Sequence, residues 1–474
     1  MSNFSRRDFL KTGALGSLFA GSVAVGCTTG TTSVAGNWKG KAKNVIFMVS
    51  DGMSAGTLTM ADQMKRRQRG TASHWISMYE QNLAKRGLMD MAPLNAIVTD
   101  SAAASSSWGC GHRINNGGVN MSPAGEAYTP ILMHFKNAGK KTGLVTTTRI
   151  THATPAGFIA NVTSRGMEAD IAVQMLEREP DLLLGGGNSF FAADKREDGR
   201  DLYAEFAQKG YHVARTKAEL EALQVDGKPV IGLFFDEHLP YTVDHLNVPE
   251  YLRDVPTLAE MTGDALRRLS RSQGFILQVE GGKVDHAAHS NDASGLIFDQ
   301  IAFDDAVGVA MEFVNQNPDT LLIVTSDHGN ANPALNGFGS GYAEADAAFD
   351  SLSRATRTNN SILDMLGRDD SVSRIREVIE TYTTHAITVE QAGILKQAMA
   401  GTYKNLYSLM NSRHAVLGQI LANYTQVNFT GSNHTSDYVE LAAMGPGSES
   451  INGYVRNTDM FTLMMQAAGV TVSA

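Results

Sequence analysis

Asp285 and His289, an aspartate and a histidine four residues apart, are the first pair in this chain whose types and spacing could do chemistry. On a helical turn residues at that spacing face the same way, so a carboxylate and a neutral imidazole can share one cation, and the mixture suits zinc. Alone, Asp285-His286-Ala287-Ala288-His289 fits a capping aspartate with a surface histidine equally well. Asp327-His328-Gly329-Asn330 is a second Asp–His pair, and both side chains can turn into a site where a strand terminates. His434, in Gly431-Ser432-Asn433-His434-Thr435, is a lone histidine, a kind more often structural than ligating. Thr99-Asp100-Ser101-Ala102-Ala103 puts a hydroxyl before a run of small residues that favours a helix start. A helix N-terminus there would point N–H groups at an anion held by Ser101, and alone the serine reads as a helix cap.

These residues need elements to hold them. Short apolar runs ending in polar or glycine-rich turns read as buried strands at 44–50, 142–147, 181–184, 275–279, 321–325 and 438–442. Helical periodicity is clearest over 257–271 and 293–315, the second with Asp292 as N-cap. The alternation predicts an α/β three-layer sandwich, a mostly parallel central sheet with helices on both faces. Chemistry in such sheets gathers beyond the C-terminal strand ends. Asp51 follows Val49-Ser50, Asp100-Ser101 follows Ala96-Ile97-Val98, Glu280 follows Val279, and Asp327-His328 follows Thr325-Ser326. Four such endings together read as an active site.

Residues 330–431 break the alternation with helical, polar sequence (361–366, 372–382, 389–421) and read as a largely helical insertion, crown- or lid-like, bordering the cleft. Residues 71–86 read as a second, smaller lid. A chain of 474 residues with 43% hydrophobic and 19% charged residues can bury a large core. A net charge of -9 argues against nucleic acid as the main partner. Ser5-Arg6-Arg7-Asp8-Phe9-Leu10-Lys11 before a short apolar run is a twin-arginine export pattern, and that run is too short for a permanent membrane span. Ala24-Val25-Gly26-Cys27 is similar to a lipoprotein cleavage box with Cys27 acylated; cleavage after Ala24 or Ala35 is the alternative. The expected organisation is therefore an export signal over 1–27, a Thr/Gly/Ser tether over 28–42, and a catalytic domain over 43–474. Cys110, the only other cysteine, reads as a small core residue.

Taken in order, Asp-Gly-Met, Thr-Asp-Ser-Ala, His-Ala-Thr-Pro, Val-Glu-Gly-Gly-x-x-Asp-x-x-x-His, Ser-Asp-His-Gly and a late His-Thr resemble the alkaline phosphatase family from about Asn44 to Gln466. The resemblance implies that Ser101 is the nucleophile that becomes phosphorylated and that Arg165 grips the phosphate. It implies one zinc held by Asp285, His289 and His434, and a second held by Asp51, Asp327 and His328. A magnesium would be held by Asp51, Thr154 and Glu280 with waters. His152 and His286 would stand behind the ligands, at positions where some members carry Asp and Lys. The implied activity is hydrolysis of phosphate monoesters by an exported enzyme, periplasmic or membrane-anchored through Cys27, in a family whose members are often homodimers. Ser101-Ala102-Ala103-Ala104-Ser105 lacks the Cys/Ser-x-Pro-x-Arg setting of a sulfatase. A phosphodiesterase of the same superfamily and a non-catalytic metal- or phosphate-binding surface lipoprotein remain the alternatives.

Overall fold

The computed structural model describes residues 41–339 and 341–471. The export signal, Cys27 and the tether as far as residue 40 lie outside the described residues. Among the described residues no helix is long and apolar enough to cross a membrane.

Ten strands form one sheet: β1 (Asn44–Ser50), β2 (Lys85–Asp90), β3 (Lys141–Arg149), β4 (Leu182–Gly186), β5 (His212–Ala214), β6 (Val230–Leu233), β7 (Phe275–Gly281), β8 (Thr320–Thr325), β9 (Val439–Met444) and β10 (Gly453–Arg456). Their order across the sheet is β10-β2-β9-β8-β1-β7-β3-β4-β6-β5, and β9 alone is antiparallel to its neighbours. The six apolar runs all form strands, and the expected three-layer α/β architecture is the observed one. The central strand β1 is buried throughout. Its alternate residues point to opposite faces: Val45, Phe47 and Val49 enter one core, Ile46 and Met48 the other. Burying each such side chain contributes about 1.5–3 kcal/mol, so β1 anchors both helical layers.

On one face Phe47 meets Trp108 of the Ser101–Cys110 helix at 5.0 Å and Phe158 of the Ala153–Ile159 helix at 5.6 Å between ring centroids. Those helices lie so close that a Cβ on Gly109 would collide with the Gly157 carbonyl oxygen. The small residues after Ser101 therefore set how deeply the nucleophile helix beds into the core. The opposite face carries the Leu258–Leu269 helix, opened by a Thr257/Glu260 capping box, and the Ala293–Gln316 helix, capped by Asp292 through the Gly295 N–H.

Three local expectations change. Residues 71–86 are no lid: Trp75 and Met78 of the His74–Glu80 helix are fully buried, and Lys85 begins β2. The large apolar side chains of that stretch anchor it in the core instead. Ala96-Ile97-Val98 forms no strand, and Ile97 is 77% exposed, so Ser101 follows a loop. The helical run expected over 389–421 divides into Val389–Met399 and Arg413–Thr425, with Gly401 at φ +74° between them. The helices between 359 and 425 bury a small core of their own around Ile362, Ile375, Ile379, Leu395 and Leu417.

Candidate active site

Strand register lines up the acids. Val49 of β1 lies opposite Glu280 of β7 and Thr325 of β8, and Thr146 of β3 lies opposite Glu280. Asp51, Glu280 and Asp327 therefore emerge at one level of the sheet, all at most 1% exposed. Gly52 holds φ +69°, and a Cβ there would sit 2.6 Å from the Asp285 carboxylate. Glycine in that turn lets the Lys283–His289 helix approach Asp51.

Ser101 begins its helix with Asp100 as N-cap, whose carboxylate accepts from the Ala103 N–H at 2.9 Å and the Gly117 N–H at 3.0 Å. The Ser101 Oγ is 3.2 Å from His328 Nε2. That same nitrogen lies 3.5 Å from Asp51 and 3.2 Å from Asp327. A second cluster joins Asp285 to His289 at 3.3 Å and to His434 at 3.6 Å, with the two histidine Nε2 atoms 3.1 Å apart. The groups Asp285/His289/His434, Asp51/Asp327/His328 and Asp51/His152/Glu280 each bring ligating atoms within 4.8 Å of one another. His152, expected behind the ligands, thus stands at ligand range of Asp51 and Glu280. A fourth group, His74/Asp304/Asp305, is already answered by Lys65, 2.6 Å from Asp304, and Arg69, 2.7 Å from Asp305.

The polar atoms fit cations. Both Asp51 oxygens, Asp327 Oδ2, Glu280 Oε1, Thr154 Oγ1 and His152 Nδ1 are buried without a hydrogen-bond partner. Four carboxylates in a dry pocket repel one another, so the site demands compensating positive charge. Burial and then the Asp327 and Asp285 charges push Asp51 well up. Burial drives Glu280 to about 7 although Thr146 and Thr148 donate to its other oxygen. On His289 burial opposes charge, but Asp285 and the Ser432 carbonyl lift it to about 9. Burial, with the nearby His328, takes His434 down to about 4. Each group mixes carboxylate and imidazole donors, and the third adds His152 to the oxygens of Asp51 and Glu280.

Arg165 reaches Asp100 at 3.4 Å and His152 Nε2 at 2.9 Å, which aims its guanidinium across the mouth of the Ser101 helix. His286 packs edge-on against His238 at 4.4 Å and His152 at 5.8 Å. Burial and Lys283 hold its ring neutral by lowering it to about 3. Every expected site residue except Thr154 is thereby tied to another by a contact or a shared ligating group, Arg165 through His152; Thr154 is placed by its buried, unpartnered hydroxyl.

Several participants carried no readable signal. Asn330 donates to Asp285 Oδ1 at 2.6 Å, Ser432 O accepts from His289 Nδ1 at 2.7 Å, and Thr99 O accepts from His434 Nδ1 at 2.9 Å. Such outer contacts fix the tautomer and the aim of a ligating ring. His238, whose Nδ1 accepts from the Arg149 N–H at 3.1 Å, was also missed. Asp100 stood inside a quoted motif, and its role as cap and arginine partner could have been read from Asp-Ser-Ala before a small-residue helix.

A hydroxyl at a helix N-terminus, an arginine fork and three cation-ready groups define a metal-dependent hydrolase of phosphate esters. A model of the alkaline phosphatase family matches residues 42–470, and this chain belongs to that family. It is 30% identical over 444 residues to alkaline phosphatase 4 of Bacillus subtilis, covering 90% of this chain and 89% of the relative. The crystal structure of Thermus thermophilus alkaline phosphatase is similar at TM-score 0.86 and 33% identity, covering 95% of this chain and 97% of that one. A cold-active alkaline phosphatase from Shewanella sp. is similar at TM-score 0.74 and 26% identity, covering 90% and 99%. The chain is thus a metal-binding enzyme of the phosphoric monoester hydrolase class.

Proposed function

We propose that Ser101 attacks the phosphorus of a phosphate monoester, forms a phosphoserine and is freed by water. Two zinc ions (at Asp285/His289/His434 and Asp51/Asp327/His328) and one magnesium (at Asp51/Thr154/Glu280) fit the donor types. When bound they supply Lewis acidity and neutralise charge on the transferring group. The chain's own part is positioning. The Ser101–Cys110 helix presents the hydroxyl and free N–H groups together, and Asp100 secures both that helix start and Arg165. The planar guanidinium matches two equatorial oxygens of the phosphoryl group in flight. The observation that carries this reading is the set of buried, unpartnered oxygens converging beside Ser101.

The twin-arginine sequence and Cys27 support export to the periplasm or to a membrane-anchored extracytoplasmic location, with the tether ending near residue 42 and residues 330–431 as an inserted region. Homodimerisation is part of the same proposal. The test is purified protein supplied with zinc and magnesium, beside Ser101→Ala. Wild type should cleave p-nitrophenyl phosphate faster than its bis-ester, and the variant should lose turnover by at least about 10³-fold. Faster cleavage of the bis-ester would make the protein a diesterase. Equal phosphate release by both proteins would remove Ser101 from the reaction.

A further inference from the structure

Leu406 is the most exposed large apolar side chain among the described residues at 107%, and Tyr407 (50%) and Leu409 (47%) lie beside it. Three such residues held out into water require an explanation, because the segment that carries them is fastened down. Asn405 N–H donates to Asn411 Oδ1 at 2.6 Å, and its side chain reaches Gln419 of the Arg413–Thr425 helix at 3.2 Å. Met410 is buried, and Gln419 donates to its carbonyl at 3.1 Å.

The segment ends against the active site. Ser432 Oγ donates to the Leu409 carbonyl, and the Ser432 carbonyl accepts from His289 Nδ1 at 2.7 Å. The Tyr407 hydroxyl lies 3.9 Å from the position a Cβ of Gly431 would take, an ordinary contact distance. The His289 side chain is 37% exposed, whereas His328 beside Ser101 is 1% exposed. In-line displacement sends the departing group away from the nucleophile. Ser101 sits against His328, so the departing alcohol faces the His289 side and the segment beyond it.

We propose that Tyr407, with Leu406, forms an apolar lip that contacts the substrate's leaving group and favours aromatic or apolar alcohols over small polar ones. The phosphate is recognised at the base of the site, and selectivity among esters arises at this rim. The inference rests on the phosphomonoesterase reading.

The test measures kcat/KM for 2-naphthyl phosphate and for glycerol 2-phosphate in wild type, Tyr407→Ala, Leu406→Ser and Tyr407→Phe, with zinc and magnesium supplied. Comparing each variant with wild type cancels the intrinsic reactivity of the two esters. The naphthyl-to-glycerol ratio should fall about fivefold in Tyr407→Ala, mainly through KM, as expected for loss of an aromatic contact, and less in Leu406→Ser. Tyr407→Phe, which keeps the ring, should retain the wild-type ratio. An unchanged ratio in Tyr407→Ala overturns the proposal. So does a proportional loss on both esters, which would mean the segment acts only by holding Ser432 and His289. A shift in oligomeric state by sedimentation with no change in ratio would assign the residues to a contact between copies, again against the proposal. Absence of phosphate release from both esters by wild type would sink the phosphomonoesterase reading and this inference with it. Normal wild-type turnover with an unaltered ratio sinks this inference alone.

Discussion

The two clusters that flank Ser101 are built differently. Asp51, Asp327 and His328 come from the ends of adjacent strands in the middle of the sheet and are at most 1% exposed. Asp285, His289 and His434 come from one helical turn and a two-residue ladder, and the His289 side chain opens to solvent. The first cluster cannot relax, because β1 and β8 fix its geometry and no water reaches its carboxylates. The second can adjust, and its open side gives the departing group an exit. A rigid charge trap and an adaptable exit ask for different supports.

Breaking each cluster should therefore have unequal consequences. Asp51→Asn removes a carboxylate shared by two of the three groups, and kcat/KM for p-nitrophenyl phosphate should fall by about 10³-fold or more. His434→Ala should lose roughly 10–100-fold, since solvent can enter the partly open cluster and added zinc should restore part of the loss. Equal losses would erase the contrast. Asn330→Ala, which frees Asp285 Oδ1 from its 2.6 Å partner, should cost about tenfold and raise the zinc concentration needed for half-activity. An unchanged zinc requirement would show that Asp285 needs no such brace.

The smallest effect is a titration that sharpens the contrast. Burial raises Glu280 from its ordinary 4.5 to about 7, and Asp51 moves the same way. In that window Glu280 of the folded, cation-free chain holds a proton that the unfolded chain has released, so this contribution is full below pH 4.5 and is lost as pH rises through about 7. Chelated wild type should lose a few degrees of melting temperature relative to chelated Glu280→Gln across that range, about 2–4 °C per kcal/mol by calorimetry. The comparison cancels His286 and His434, whose lowered values give the opposite sign. Protein reloaded with zinc and magnesium should not show the decline, because the cations replace the protons. A chelated wild type that gains on chelated Glu280→Gln over the same range would place the bound proton elsewhere.

Much of this was legible in local sequence. Asp51, Glu280 and Asp327 could be read because buried parallel strands are short apolar runs and their ends are where such sheets expose side chains. Asp285 and His289 could be paired because helical spacing is periodic, and the Asp292 cap because helix starts have a local chemistry. Where the sequence misled, a long-range contact had overruled local pattern. Residues 71–86 read as a small lid until Trp75 meets Phe303 across the core at 6.2 Å. Ser101 needs no strand before it, because its helix is fixed from behind by Gly109 against Gly157.

The sequence by itself determined the donor set, the strand ends at Asp51, Glu280 and Asp327, and the family resemblance, since each depends on residue type at short spacing. Tertiary structure alone decided the convergence. His434 lies more than a hundred residues beyond His328, yet it pairs opposite Asn330, with Thr435 opposite Gly329, in an antiparallel ladder that closes the excursion between them. That return stacks the His434 ring on His328 at 3.6 Å and completes the second cluster. It also sets Asn330 on Asp285, His152 within reach of Asp51, and the Tyr407 segment beside Ser432. No local periodicity encodes such neighbours, because they depend on where a long excursion comes back to the sheet.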